Sequence, residues 1–282
     1  MSTVNEPALR VGSLVRGSAG RHVKASPIRA TADFTFLDWP GPIAFAHRGG
    51  ASEVPENTMP AFEHAVRLGY RYIETDVHVT ADGVLLAFHD DALDRVTDGH
   101  GRIDALPWSV VQKAKVDGKE PIPLFEDLLG TFPDIRVNID PKHDGAVQAL
   151  VDVLEKCKAV DRVCIGAFSD RRLARVRALL GPGVCTSLGP RGIARLRSAS
   201  FGVPVGRLPS PCAQVPTGIK GVTLLDRRFV NEAHKRGIKV HVWTIDDRAE
   251  MVRLLDLGVD GIMTDRPAIL REVLESRGEW FS

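Results

Sequence analysis

From residue 40 onward, short runs rich in β-branched residues alternate with segments of helical period, and this alternation narrows the fold more than any other feature. "PIAFAH" reads as a strand, and "MPAFEHAVRLG" as a helix opened by Thr58 and closed by Gly69. "YRYIETDVHV", "VLLAFHD", "IRVNIDPK", "RVCIGAF", "GVCTSL", "IKVHVWTI" and "GVDGIMTD" have strand character. Between them lie a helix near 124–130 and the amphipathic stretches "GAVQALVDVLEKCKA", "DRRLARVRALLG", "RRFVNEAHKRG" and "RAEMVRLLDLG". Strands separated by helices of about 10–15 residues imply βα units around a parallel sheet. About eight such strands in roughly 240 residues predict an α/β fold, a (β/α)8 TIM barrel, with an open doubly wound sheet as the alternative. Two stretches fit the pattern poorly and read as irregular excursions: residues 91–123, with one short helix near 107–114, and the Pro- and Gly-rich residues 189–221. In a barrel, excursions at the C-terminal ends of strands border the active site.

The chain of 282 residues fits one such domain over 33–282, preceded by a Gly-, Ser- and Arg-rich extension over 1–32 that reads as loosely ordered. That extension lacks the continuous apolar segment of a secretory signal, and no stretch approaches the length of a membrane span. Lys plus Arg (37) balances Asp plus Glu (36), so no overall field favours nucleic acid or an anionic membrane. Recognition of an anion must then come from local charge. Cys157, Cys164, Cys185 and Cys212 form no C-x-x-C pair. Each reads as a small apolar core residue of a reduced, cytoplasmic protein.

Polar residues interrupt the strands where a barrel interior calls for apolar ones. In "YIETDVHVT", Glu74, Asp76 and His78 share parity and therefore one face. Two carboxylates at alternate positions lie roughly 7 Å apart at Cα. Buried together they repel, and a divalent cation removes the conflict; all-oxygen ligation suits Mg²⁺ or Ca²⁺. A solvated strand face would also accommodate such acids. If "TADG" closes a hairpin with a two-residue loop, His89 lies opposite Glu74 or Asp76. If the strands are instead parallel, His89 ends its strand at the mouth shared with the acids. In "IRVNIDPK", Asn138, Asp140 and Lys142 again share parity, offering a third carboxylate and a cation for an anionic ligand. His47 and Arg48 end the first strand in "AHRGG". A guanidinium beside a metal site calls for an anion between them, and a phosphate meets both requirements. Two imidazoles at such a centre suit general acid–base work near neutral pH.

In "AHRGG" with "PENT", "IETDVHVTADGVLLAFHD", "NIDPK", "VWTIDD" and "GVDGIMTDRP", in that order, the sequence resembles the glycerophosphodiester phosphodiesterase family over roughly residues 43–270. The resemblance implies a (β/α)8 barrel that hydrolyses small-molecule glycerophosphodiesters to glycerol 3-phosphate and an alcohol, with one divalent cation. It implies His47 and His89 as the acid–base pair and Arg48 and Lys142 as phosphate-binding residues. It further implies Glu74, Asp76 and Asp140 as metal ligands and Trp243 in the substrate pocket. In the mechanism it implies, a substrate glycerol hydroxyl attacks phosphorus and water then opens a cyclic phosphate. Asp140 departs from the pattern: the family commonly has glutamate there, and aspartate resembles the related sphingomyelinase D enzymes. A lysophospholipase D or sphingomyelinase D-like activity is thus an alternative, with Leu106, Trp108, Phe201 or Val203 as apolar surface at the mouth. A non-catalytic phosphodiester-binding barrel is a second alternative, though binding alone requires neither histidine.

Other residues take supporting roles. Glu56 in "PENT" is placed to orient Arg48, with Asn57 beside it. Phe168 ends a strand and adds apolar pocket surface. His241 reads as a polar residue of the barrel interior, and Asp265 as the cap of the last helix. The basic run "SDRRLARVRALL" reads as a solvated helix face. Gly49 and Gly50 let the chain turn sharply beneath bound substrate.

Overall fold

A computed structural model describes residues 34–282; the extension expected over 1–32 lies outside the described residues. Eight parallel strands form the barrel: β1 (Ile43–His47), β2 (Tyr72–Val79), β3 (Arg136–Pro141), β4 (Val163–Ile165), β5 (Cys185–Thr186), β6 (Cys212–Val215), β7 (Lys239–Val242) and β8 (Gly261–Thr264). Each pairs with its neighbours in sequence, and β8 returns to β1. A parallel bridge between Ser187 and Cys212, with the Leu188 N–H donating to the Cys212 carbonyl at 2.8 Å, joins β5 to β6 and closes the ring.

A helix follows every strand: α1 (Met59–Arg67), α2 (Phe125–Thr131), α3 (Ala146–Lys156), α4 (Asp170–Leu180), α5 (Pro190–Ala199), α6 (Arg227–Lys235), α7 (Arg248–Leu257) and α8 (Pro267–Ser276). Side-chain caps start several of them. Thr58 accepts from Ala61 N–H, Ser169 from Arg172 N–H, Asp226 from Phe229 N–H and Asp247 from Glu250 N–H. The apolar faces of the helices and the outward strand residues, such as Ile73, Val77, Val137 and Val240, form the main core. A smaller cluster fills the barrel itself: Phe45, Tyr72 and Met263 come from the adjoining strands β1, β2 and β8, and Cys164, Cys185 and Cys212 from β4, β5 and β6. Bulky rings combined with small thiols keep the interior filled without overpacking. Phe34, Phe36 and Leu37 plug the N-terminal end, where Phe36 packs edge-on against Tyr72 (centroids 5.3 Å).

Residues 189–221 are more regular than their composition suggests, because they contain α5 and the barrel strand β6. Their irregular parts are 200–211 and the turns around a small exposed hairpin, Gly218–Ile219 with Val222–Thr223. The 91–123 excursion has one short α-helix, Trp108–Val111, two 3-10 turns, Leu93–Arg95 and Ile103–Ala105, a small hairpin pairing Lys115–Val116 with Glu120–Pro121, and its own apolar cluster built on Phe88, Leu93, Ile103 and Val111. The basic run on α4 is not simply solvated. Arg172 donates to the Pro141 carbonyl at 2.7 Å, and Arg177 to Thr186 Oγ1 at 2.9 Å, tying α4 to the ends of β3 and β5.

Candidate active site

The site is assembled at the C-terminal ends of the strands. After β1 the chain turns through three successive residues of positive φ: Arg48 (51°), Gly49 (83°) and Gly50 (107°). A Cβ on Gly49 would lie 2.8 Å from the backbone of Ala61, and one on Gly50 would lie 2.7 Å from Pro267 Cγ. At positions 49 and 50 only glycine fits this turn between α1 and α8. The turn directs His47 and Arg48 at β2, where Arg48 N–H donates to the Glu74 carbonyl (2.9 Å).

Both histidines are held through Nδ1 by a carboxylate. His47 Nδ1 lies 2.6 Å from Asp265 Oδ1, and His89 Nδ1 lies 2.5 Å from Asp90 Oδ1. An ionised carboxylate only accepts, so each Nδ1 carries the proton and each Nε2 is left free for chemistry. His47 Nε2 is 3.6 Å from Glu74 Oε2. Burial works to lower the His47 pKa, but Glu74 and then Asp265 outweigh it and raise it. Burial lowers that of His89, against the pull of Asp76. Asp265 is itself fixed, since its N–H and the Thr264 hydroxyl both donate to Asp246 Oδ1 (2.8 and 2.9 Å). Asp90 accepts from Arg95, which also grips Glu56 (2.6 Å), and Glu56 in turn accepts from Arg48 (3.0 Å). Burial acts against the ionised Asp90 carboxyl, yet hydrogen bonds from Arg95 and His89 bring its pKa down to about 2.

Glu74 and Asp76 face the barrel interior, and Asp140 lies level with Asp76 on the neighbouring strand. Lys142 Nζ bridges Asp76 (2.7 Å) and Asp140 (3.1 Å), while Arg48 Nε stands 3.3 Å from Asp76. Asn57 donates to Asp76 (3.4 Å) and accepts from Thr75 (2.7 Å). The charges are unevenly compensated. Burial, then Asp76, pushes the Glu74 pKa up to about 7, and burial raises that of Asp140 to about 6. Asp76 is held below the usual carboxylate range because Lys142 and Arg48 overcome its burial. Asp140 Oδ1 is buried and without a hydrogen-bond partner. Two buried carboxylates and the half-buried Asp140, with one orphaned oxygen among them and two of the three reluctant to ionise, form a donor set that fits a hard divalent cation.

His47, Arg48, Glu74, Asp76, His89, Asp140, Lys142, Phe168 and Trp243 all line one cavity of about 570 Å³. Trp243 meets Phe168 edge-on at 5.6 Å, and Phe168 is 71% exposed at the rim. Glu56 and Asn57 stand behind this wall, joined to Arg48 and Asp76. Opposite the charges, Leu188, Ile193, Val215, Leu224, Phe168 and Trp243 form an apolar wall. Leu106, Trp108, Phe201 and Val203 do not line the cavity, so its apolar surface comes from the βα loops after β4 to β7 rather than from those positions.

Residues 47–269 match the Glycerophosphoryl diester phosphodiesterase family. The chain is 42% identical to the probable glycerophosphodiester phosphodiesterase 2 of Mycobacterium tuberculosis, over 87% of this chain and 95% of that one. The chain belongs to the glycerophosphodiester phosphodiesterase family. Solved structures of similar fold include a glycerophosphoryl diester phosphodiesterase described from Silicibacter pomeroyi (TM-score 0.75, 21% identity, 88% of this chain and 100% of that one). Another is an Oleispira antarctica phosphodiesterase in complex with the product sn-glycerol-3-phosphate (TM-score 0.71, 24% identity, 83% of this chain and 97% of that one).

Within this family member, two expectations change. Asp265 does not cap α8: the N-cap position is Arg266, with no side-chain cap bond, and Asp265 turns to His47 instead. The hairpin after β2 has a three-residue loop, Ala81–Gly83, rather than two. Its register sets His78 against Leu86, and carried three residues further it would put His89 opposite Thr75, away from the acids. His89 reaches the site because the paired strand ends at Ala87. Beyond it the Phe88 N–H donates to the Asp76 carbonyl (3.0 Å), and His78 Nε2 holds the His89 carbonyl (3.0 Å). Asp90 and Arg95 carry no periodic signal, although Asp90 directly follows the histidine it holds.

Proposed function

We propose that residues 33–282 act as one catalytic barrel, hydrolysing glycerophosphodiesters to glycerol 3-phosphate and an alcohol through a cyclic phosphate. The observation that carries this reading is the pair of Nδ1-anchored imidazoles, His47 and His89, lining one cavity with Arg48 and Lys142. One imidazole takes the proton of the substrate's glycerol hydroxyl as it attacks phosphorus, and the other gives a proton to the departing alcohol oxygen. Their roles then reverse as water opens the cyclic phosphate. Arg48 and Lys142 neutralise the phosphate oxygens, and the fixed geometry of Arg48 favours paired hydrogen bonds. Glu74, Asp76 and Asp140 would hold one divalent cation, Mg²⁺ or Ca²⁺, which when bound adds positive charge against the pentavalent phosphorus. The product bound in the Oleispira relative supports glycerol 3-phosphate as the product here. A barrel that only bound phosphodiesters would require neither carboxylate–histidine pair. Free thiols suit the cytoplasm as its compartment.

Incubation with glycerophosphocholine should release glycerol 3-phosphate, and EDTA should abolish turnover. His47→Ala and His89→Ala should each lower kcat by about 10²–10⁴-fold. Unchanged rates in either variant would overturn the mechanism. The apolar wall supports a second reading, in which a lysophospholipid lays its acyl chain along Leu188, Ile193 and Trp243. Comparing kcat/KM for deacylated diesters and lysophospholipids, in Mg²⁺ and in Ca²⁺, separates the two.

A further inference from the structure

Three cysteines far apart in sequence meet inside the barrel. Cys164, Cys185 and Cys212 come from the adjacent strands β4, β5 and β6, with Cys164 level with Cys185 in the ladder. All three are essentially unexposed, and their Sγ atoms lie within 4.8 Å of one another. Among the described residues no other set of three His, Cys, Asp or Glu ligand atoms is as compact. Cys164 and Cys212 have their sulfurs 3.7 Å apart. Metal–sulfur bonds of about 2.3 Å in a tetrahedron set S–S edges of about 3.8 Å.

Packing and hydrogen bonding account for this layer only in part. Cys212 offers its S–H to the Thr186 carbonyl at 3.7 Å, and Gln214 Nε2 lies 3.9 Å from Cys164 Sγ, both weak contacts. On β7, next to β6, His241 is fully buried with both ring nitrogens unpartnered. It packs against Phe45 (5.1 Å between centroids), and the nearby Cys212 is among the charges that act on its imidazole. A buried imidazole with two unsatisfied nitrogens is costly, so this part of the barrel holds polar atoms that packing alone does not satisfy.

We propose that Cys164, Cys185 and Cys212 bind one thiophilic d¹⁰ cation inside the barrel. The three thiols lose their protons to solvent as three metal–sulfur bonds form. Zn²⁺ leaves the site with one negative charge and Cu⁺ leaves it with two, so a buried site favours Zn²⁺. Because the sulfurs are enclosed, the ion enters while the barrel folds. This site is separate from the carboxylates of β2 and β3, whose oxygens select a hard cation, and it does not depend on the proposed reaction.

The test is metal analysis of the full chain, expressed with zinc and dialysed against EDTA, together with absorption spectroscopy of protein refolded with Co²⁺. One zinc per chain should survive dialysis, and the Co²⁺ form should show an intense near-ultraviolet thiolate-to-cobalt band. Cys185→Ala and Cys212→Ala should lose that equivalent and that band, whereas Glu74→Gln should keep both. Wild-type protein with no retained zinc or copper and no sulfur-to-cobalt band would overturn the proposal. So would a Cys164–Cys212 disulfide in its peptide map. The wild-type measurements decide the matter even where a cysteine variant fails to fold.

Discussion

His47 and His89 leave different strand ends, yet each is anchored through Nδ1 to an aspartate that something else holds in turn. For His47 the chain runs Asp265 to Asp246; for His89 it runs Asp90, Arg95, Glu56 and back to Arg48. The guanidinium of Arg48, proposed to bind phosphate, and the imidazole of His89, proposed as one of the acid–base pair, are therefore positioned by one ion-pair network, and a shift in either end disturbs the other. Asp265 acts through His47, so it is a positioning residue. Asp265→Asn permits the wrong imidazole tautomer and should lower kcat by about 10²-fold, leaving KM within about twofold. Steady-state kinetics with glycerophosphocholine reads the split, and a rise in KM with kcat intact would show that Asp265 serves binding instead.

At the scale of elements, β7 and β8 are tied together by Asp260. Its carboxylate accepts from the Val240 N–H (2.8 Å), Lys239 Nζ (2.9 Å) and His234 Nε2 (2.7 Å), and its carbonyl accepts from Ile43 N–H on β1 (2.8 Å). Burial would raise the Asp260 pKa, but these partners, Lys239 first, hold it below the ordinary carboxylate value. A folded pKa below the unfolded one stabilises fully above the unfolded value, about 3.9, and that stabilisation disappears as pH falls through the folded value. Asp260→Asn should therefore cost about 1–3 kcal/mol at pH 7, and less as the pH drops below about 3.9. Urea unfolding across that range checks the sign; a gap that widens in acid would contradict it.

Over the whole molecule, function and stability sit at opposite ends of the barrel. The cavity opens among the C-terminal strand ends, while Phe34, Phe36 and Leu37 close the other end against Phe45 and Tyr72. Phe36 is fully buried, and Phe36→Ala should destabilise the fold by about 3–5 kcal/mol. Thermal unfolding should report this as a lower Tm, with kcat/KM of the folded protein unchanged at lower temperature. Loss of kcat/KM without loss of Tm would mean that the plug reaches the site. The site carboxylates invert this relation, because Glu74 and Asp140 are held in surroundings that resist their ionisation.

Local pattern was enough to read most of the alternating strands and helices, because period-2 and period-3.6 burial are written within a few residues of each element, but α5 and β6 were hidden in the Pro- and Gly-rich stretch. It also exposed Glu74, Asp76, Asp140 and Lys142, since charged residues at inward parity contradict a barrel interior. The Thr58 N-cap of α1 was legible for the same local reason. Long-range placement was not. The hairpin register turned on one extra loop residue, which reverses every facing, and His89 reaches its place through the end of a strand rather than through pairing. Asp265 reads locally as a cap and meets His47 only because β8 closes onto β1 across 218 positions of chain. The three thiols are scattered along the chain and gather only through the ladder from β4 to β6. Period and capping are properties of neighbouring residues, so a chain carries them openly; closure of the barrel is a property of all eight strands at once, and only the closed structure assigns partners across it.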